Sequence, residues 1–284
     1  MPGTSPTVRQ RELAARLRQL RHDRGLTVDD VAKELLCSST KISRIETAAR
    51  RPSLRDVRDL CRVYGIADKP DAADLMVLAR QAREPGWWRQ YDDLGDIDLY
   101  IGLEQAAVGI SHFGMYFIHG LLQTEDYARA ILKAIQPKID PKILAQRIEA
   151  RMRRQELLEQ PNPPRFRELL DEGALRRQVG GPAVMRAQLD RILQLVRENK
   201  VTVQVVPFDA GAHAIPDSNF TYLEFGDPSI TNLIFSESLV SHLYHEQKAQ
   251  LDRYHEALEY LRDAALSPRD SVNLIADIRS AHAE

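Results

Sequence analysis

The chain has few of the residues and segments that mark several large classes of protein. Its 284 residues include only two cysteines, Cys37 and Cys61, so a disulfide framework is excluded, and their spacing fits no metal site. No run approaches the ~18 consecutive apolar residues that a membrane span needs. The N-terminal sequence has no apolar stretch, so we expect no secretory signal. These absences predict a soluble cytoplasmic protein that does not bind membranes.

Signatures of catalysis are missing too. The sequence contains no Gly-x-Gly-x-x-Gly, no Walker loop, no Gly-x-Ser-x-Gly and no His-Glu-x-x-His. The acidic pair Asp92-Asp93 has no evident acid or base partner. His242, His245 and Glu246 match no standard metal signature. We therefore expect no enzyme, no cofactor and no metal.

The two ends of the chain differ in charge. Residues 1–66 carry 14 Lys and Arg against 8 Asp and Glu, a balance of +6, whereas residues 67–284 carry 25 against 33, a balance of −8. A basic segment joined to an acidic one is typical of a nucleic-acid-binding unit attached to a body that does not bind nucleic acid. A basic helix face that is merely solvated is the alternative.

Residues 8–84 predict an all-α domain of five short helices. Gly25 and Gly65 follow apolar helical patterns, at positions where a left-handed residue ends a helix. Thr27, Ser38 and Ser53 precede such patterns as N-caps. The third helix, roughly residues 39–47, has an apolar stripe and an otherwise polar surface.

The pair Pro85-Gly86 predicts a domain boundary, and residues 85–284 predict an α+β domain. Its strand-like segments are short and rich in Val, Ile, Phe or Tyr; they lie near 105–113, 165–171, 201–206, 219–225, 232–237 and 239–244. Helical patterns cover 124–136, 141–159, 182–199, 246–265 and 268–281. Because the loops between the last three strands are too short for a crossover helix, we predict a mostly antiparallel sheet.

The second and third helices fit the requirements of a helix-turn-helix that reads double-stranded DNA. The third helix would enter the major groove, where arginine can pair with guanine and hydroxyls with either base. We assign base reading to Ser39, Thr40, Lys41 and Arg44, with Ser43 on the same outer surface. Positioning on phosphates falls to the following residues: Thr27, Val28, Ser38, Arg50 and Arg51.

Residues 26–54, LTVDDVAKELLCSSTKISRIETAARRPSL, resemble the DNA-binding segment of Cro/cI-type (XRE) repressors. The pattern of that family is matched by Thr27, Ala32, Ser38, Ile42, Ile45 and Glu46. The chain departs from the pattern at Leu36, where glycine is usual, and at Ala48-Ala49, where glycine commonly ends the recognition helix.

The remainder resembles the long C-terminal domain carried by many of these regulators in high-GC Gram-positive bacteria. The matching segments are Gly86-Trp87-Trp88, GLLQT at 120–124, YARAIL at 127–132, LDEGALRRQVGGPAVMRAQLDRIL at 170–193, VTVQVVPFDAGAH at 201–213 and LSPRDS at 266–271. The resemblance implies an antitoxin-like or developmental transcriptional regulator, often encoded beside a small acidic partner protein.

Three further residues are candidates for effector or partner binding, each with a structural alternative. Trp87 and Trp88 can line an aromatic pocket or a partner groove, or pack at the domain junction. His213 follows a predicted strand and can contact a ligand, or serve the loop alone. A basic cluster, Arg151 to Arg154, can touch DNA or form a solvated helix face.

The sequence therefore predicts a homodimeric DNA-binding transcriptional regulator that binds a two-fold-related operator. The C-terminal domain either receives a small partner protein, as in an antitoxin-like complex, or binds a small-molecule effector that changes the affinity for DNA. An enzyme carrying a DNA-binding appendage is the least favoured class.

Overall fold

A computed structural model describes residues 5–94, 97–215, 219–228, 230–238 and 241–282. The chain divides into two units, here called the N-terminal unit (Met1–Arg89 with Gly226–Thr231) and the C-terminal unit (Gln90–Phe225 with Asn232–Glu284). The structure divides the chain after Arg89, whereas the sequence predicts the boundary at Pro85-Gly86.

The N-terminal unit contains the five predicted α-helices. They are α1 (Pro6–Asp23), α2 (Val28–Glu34), α3 (Ser39–Glu46), α4 (Leu54–Val63) and α5 (Pro70–Gln81). A short 3-10 helix, Trp87–Gln90, follows. The predicted N-caps are confirmed, because the side chains of Thr27, Ser38 and Ser53 accept hydrogen bonds from the backbone amides three residues on.

Four of these helices are followed by a residue of positive φ, which after α3 is Ala48 (φ 57°), and the other three helices end in the same way. After α1 and α4 that residue is Gly25 (φ 66°) or Gly65 (φ 64°), as predicted. After α2 it is Leu36, with φ 49°. The next amide, from Cys37, donates to the Ala32 carbonyl at 2.9 Å, the long hydrogen bond that closes a helix C-terminus. The chain thus makes the usual turn without the usual glycine, and leucine bears the strain.

The core of the N-terminal unit draws on all five helices. One buried cluster contains Leu17 from α1, Val31 from α2, and Ile42 and Ile45 from α3. It also contains Leu60 from α4, Tyr64 directly after α4, and Leu75 from α5. Cys61 lies in the same cluster, and both cysteines are free thiols. Burial of the apolar stripe of α3 leaves its other side available at the surface.

The C-terminal unit combines helices with one sheet. Its helices are α6 (Asp98–Glu104), α7 (Glu125–Ile135), α8 (Pro141–Arg154), α9 (Glu172–Arg176), α10 (Pro182–Arg197), α11 (Lys248–Ala264) and α12 (Pro268–Ala281). Its strands are β1 (Gly109–Gly114), β2 (Arg165–Asp171), β3 (Thr202–Val206), β4 (Phe220–Glu224), β5 (Leu233–Glu237) and β6 (His242–His245).

The sheet has the order β3-β2-β1-β4-β5-β6. Strands β1, β4, β5 and β6 pair antiparallel, whereas β1–β2 and β2–β3 pair parallel. The predicted α+β class with a mostly antiparallel sheet is confirmed. The parallel half follows from its connections, since α7 and α8 separate β1 from β2, and α9 and α10 separate β2 from β3.

Some details differ from the sequence-based expectations. Helices α6 and α9 were not predicted, because each is too short to show a helical period. Of the strand predicted at 239–244, Leu239 and Val240 lie outside the described residues. Among the helices that the structure describes, none has the length and apolarity to cross a membrane.

Candidate nucleic-acid interface

The outer surface of α3 is a continuous polar stripe. Thr40, Ser43, Arg44 and Thr47 follow the spacing i, i+3, i+4, i+7, and all are exposed. The opposite side is buried, with Ile42 and Ile45 each only 1% exposed. Within the described part of the chain, the guanidinium of Arg44 has no hydrogen-bond or ion-pair partner. The stripe therefore offers one long cation among short hydroxyl side chains.

Two of the residues predicted to read bases contact carboxylates of neighbouring helices. The Lys41 ammonium lies 2.5 Å from Asp56 Oδ1 at the start of α4. Partial burial would raise the pKa of Asp56, but the hydrogen bonds from Lys41 and Ser53 outweigh it and lower the pKa. The Ser39 hydroxyl donates to Asp29 Oδ1 of α2. These bonds tie α3 to α4 and α2, so Ser39 and Lys41 set the position of the helix.

The start of α2 is closed by a capping box. The Asp30 amide donates to Thr27 Oγ1 at 3.1 Å, and Asp30 Oδ2 accepts from the Thr27 amide at 2.9 Å. The Thr27 hydroxyl also donates to Asp30 Oδ2, at 2.6 Å, and this hydrogen bond, followed by the one from the Thr27 amide, lowers the pKa of Asp30. A carboxylate at this helix start opposes the phosphate contact predicted for Thr27 and Val28.

A buried ion pair fixes the end of α3. Arg21 of α1 donates from Nε to Glu46 Oε1 at 2.9 Å and from Nη2 to Oε2 at 2.9 Å, and both side chains are less than one-tenth exposed. Arg21 Nη1 also donates to the Leu26 carbonyl at 2.8 Å, and the Tyr64 hydroxyl donates to Glu46 at 3.4 Å. The hydrogen bonds with Glu46 raise the pKa of Arg21. This network explains chemically why glutamate ends the recognition-helix pattern.

The loop after α3 carries the two basic residues predicted to hold the DNA backbone. Gln10 of α1 supports this loop, since its Nε2 donates to the Ala48 carbonyl at 2.7 Å and its Oε1 accepts from Arg51 Nε at 3.2 Å. Arg50 and Arg51 are both exposed.

The effector candidates occupy different environments. Trp88 is 4% exposed and packs edge-on against Trp87, at a centroid distance of 5.9 Å. His213 is mostly buried: its Nδ1 accepts from the Ile215 amide at 3.3 Å, and its ring lies edge-on to Phe113. These contacts account for His213 by packing. Among the described residues, no group of three His, Cys, Asp or Glu can hold a metal ion.

Comparison with known proteins identifies both parts of the chain. A family described as "Helix-turn-helix domain" matches residues 12–75. A family described as "Domain of unknown function (DUF5753)" matches residues 97–277, well over half of the chain. The chain belongs to the DUF5753 family. No curated protein and no solved structure matches it. The helix-turn-helix match supports a DNA-binding regulator.

The DUF5753 domain contains a group of buried ionisable side chains. Arg154 donates from Nη2 to Glu104 Oε1 at 2.7 Å and from Nε to Oε2 at 2.9 Å, with the carboxylate fully buried. Burial would lower the pKa of Arg154, but Glu104 raises it. The expectation that the cluster Arg151 to Arg154 touches DNA or forms a solvated face is therefore wrong for Arg154.

Two histidines of the DUF5753 domain adjoin this pair. His112 Nδ1 lies 3.0 Å from Glu168 Oε2, and the rings of His112 and His119 lie 4.7 Å apart. His119 Nδ1 accepts from the Leu121 amide at 3.2 Å, so its proton sits on Nε2, 3.0 Å from the Tyr100 hydroxyl. Burial, followed by the charges of neighbouring cations, holds the pKa of His119 well below 6.5. Sequence analysis missed this cluster, because its members are scattered along the chain.

Proposed function

We propose that this protein is a sequence-specific transcriptional regulator that reads double-stranded DNA with α3. The observation that carries the proposal is the exposed stripe of Thr40, Ser43, Arg44 and Thr47 on the second helix of a helix-turn-helix. Short hydroxyl side chains let the helix approach base edges closely, and arginine can form a bidentate contact with guanine. Arg50 and Arg51 hold the backbone beyond the helix, and Ser38, Ser39 and Lys41 fix the position of α3.

We propose further that the regulator acts as a homodimer on a two-fold-related operator. A single α3 spans only a few base pairs, too few for specific affinity, and a symmetric dimer doubles the contacted sequence. Light scattering of the full chain, alone and with an operator duplex, tests this. A strictly monomeric mass that DNA does not change would contradict the dimer.

The contact proposed for Arg44 is tested by substitution with a charge-matched control. Arg44→Ala should weaken binding to the selected operator by about 1–3 kcal/mol and relax the preference at one base position. Arg62→Ala removes an exposed arginine from the last turn of α4, where its partner is Asp59. This control should leave both the affinity and the base preference unchanged.

The experiment starts with selection of the operator from a random duplex library. Both variants are then titrated with the operator and with single-base substitutions of it, at constant salt concentration. Unchanged base preference in Arg44→Ala would contradict reading by α3. Equal losses in both variants would assign the effect to net charge alone.

For the C-terminal unit we propose an antitoxin-like role in which it binds a small acidic partner protein. The resemblance of its motifs to those of such regulators supports this role. A small-molecule effector is the alternative.

The two are separated by calorimetric titration with any small acidic protein found to be encoded beside this chain, together with a thermal-shift screen of metabolites. Saturable binding of the protein supports the partner. A thermal shift with a metabolite, and no heat with the protein, would favour the effector.

A further inference from the structure

A cavity of about 360 Å³ lies within the N-terminal unit, apart from the stripe of α3. Three arginines line it: Arg51 from the loop after α3, Arg83 from the end of α5, and Arg89 from the 3-10 helix. One carboxylate, that of Glu84, lies at its wall. The cavity therefore carries a net positive charge.

Two of these cations have no carboxylate partner. Across the residues that the structure describes, neither Arg51 nor Arg83 forms an ion pair. Arg83 Nη1 donates to the Pro52 carbonyl at 3.4 Å, and Arg51 Nε donates to Gln10 at 3.2 Å. Partial burial, then the charges of Arg89 and Arg83, lower the pKa of Arg51. Bringing like charges together costs free energy, and an anion placed among them would recover it.

The wall of the cavity is closely packed. Trp88 forms part of it and packs directly over Gly86, where an added Cβ would lie only 2.4 Å from the indole ring. The backbone of the Pro85-Gly86 segment is thus held against the tryptophan. Because the two hydrogen-bonded arginines and this wall are already in place, an anion would meet a formed site.

The first turn of α1 also reaches the cavity. Pro6 and Thr7 line it, and α1 is an 18-residue helix with no acidic residue in its first turn. The positive end of the helix dipole therefore adds to the field of the arginines. Glu84 is the only opposing charge among the described lining residues.

We propose that the cavity formed by Arg51, Arg83 and Arg89 binds a phosphoryl group. Guanidinium groups pair with phosphate oxygens through two parallel hydrogen bonds, and several can surround one tetrahedral anion. The phosphoryl group comes either from the DNA backbone just beyond α3 or from a free phosphorylated small molecule, for which the volume is sufficient. The first source rests on the proposed function, whereas the second does not.

The test uses the full chain and two variants of the same chemistry. Arg83→Gln removes a cation from the cavity, and Arg80→Gln removes an exposed cation from the last turn of α5 that does not line the cavity. Inorganic phosphate and pyrophosphate are titrated by ³¹P NMR and by thermal shift, against chloride at equal ionic strength. We expect saturable binding by the unmodified chain and by Arg80→Gln, and about tenfold weaker binding by Arg83→Gln. Arg51→Gln, a second cavity variant, should show the same loss.

DNA titrations over a range of salt concentrations distinguish the two sources. If the site takes a backbone phosphate, Arg83→Gln should lower the salt slope by about one, and Arg80→Gln should not. If the site takes a free ligand, phosphate binding is lost in Arg83→Gln while the salt slope is unchanged. Equal phosphate binding by all variants, or none by the unmodified chain, would overturn the proposal. Neither outcome bears on base reading by Arg44, so the two proposals can fail separately.

Discussion

The two units of this protein place their charges in opposite ways, although each contains a buried arginine–glutamate pair. In the N-terminal unit the pair Arg21–Glu46 is accompanied by cations that remain at the surface, such as Arg44 and Arg50. In the C-terminal unit the pair Arg154–Glu104 is surrounded by further buried ionisable groups. In the first unit the buried pair fixes the end of the helix that carries the exposed stripe, whereas in the second unit the buried pair belongs to a larger buried polar cluster.

The same comparison explains why only one unit shows its function at the sequence level. A DNA-reading helix must expose its working side chains, so they form a periodic pattern along a few residues. A buried polar cluster is assembled from distant strands and helices and leaves no such pattern. The helix-turn-helix is therefore recognisable in the sequence, whereas the buried polar cluster of the DUF5753 domain is not.

Breaking either buried arginine–glutamate pair should have the largest effect on stability. Glu46→Ala and Glu104→Ala each leave an arginine buried without its partner, so each should cost about 3–5 kcal/mol of local stability. Hydrogen exchange followed region by region measures this, because a chain of two units need not unfold in one step.

The corresponding glutamine variants keep the shape of the side chain and one of its two acceptor oxygens but not its charge, so they should lose less than the alanine variants. We expect the loss of protection to be concentrated in the unit that carries the substitution. A loss below about 1 kcal/mol in either variant would show that its pair is not desolvated as the structure indicates.

Lowering the pH should reduce the stability of the C-terminal unit selectively, because that unit contains His119. The pKa of this buried histidine is held well below 6.5 in the folded chain, so below pH 6.5 the unfolded chain binds one more proton than the folded chain. The stability of the C-terminal unit should therefore fall as the pH falls, by about 1.4 kcal/mol between pH 7.5 and 5.5.

His119→Asn keeps an acceptor for the Leu121 amide but cannot titrate, so its pH dependence over this range should be weaker by that amount. Denaturant unfolding at the two pH values, followed by hydrogen exchange within residues 97–215, is the measurement. The same pH dependence in both proteins would contradict a neutral buried His119.

The smallest expected change in stability concerns two helix ends that have the same backbone geometry. Leu36 after α2 and Asn199 after α10 both have positive φ, and the following amides donate to carbonyls five residues back. Leu36 is 94% exposed, so replacing it loses no packing. Relief of strain should outweigh the added chain entropy of glycine, and Leu36→Gly should stabilise the N-terminal unit by up to about 1 kcal/mol.

The converse substitution, Asn199→Leu, places leucine in the conformation that asparagine tolerates and should cost about 1–2 kcal/mol. Thermal unfolding of both variants measures these two changes in stability. Destabilisation by Leu36→Gly would indicate that the exposed leucine makes a contact within the folded protein.

The local features of the fold were determined by the sequence alone. Thr27, Ser38 and Ser53 cap the helices where expected, and strands at 165–171 and 201–206 lie where short apolar runs predict them. Each of these depends on neighbours within a few residues. The outward placement of Thr40, Ser43 and Arg44 follows from the helical period for the same reason.

Tertiary structure alone decided which distant residues meet. Lys41 pairs with Asp56, Arg154 is buried on Glu104 across 50 positions, and Arg51 converges with Arg83 and Arg89 around one cavity. The parallel pairing of β1 with β2 is likewise set by how the intervening helices pack. These arrangements depend on long-range packing and desolvation, and a single sequence does not specify either in its local pattern.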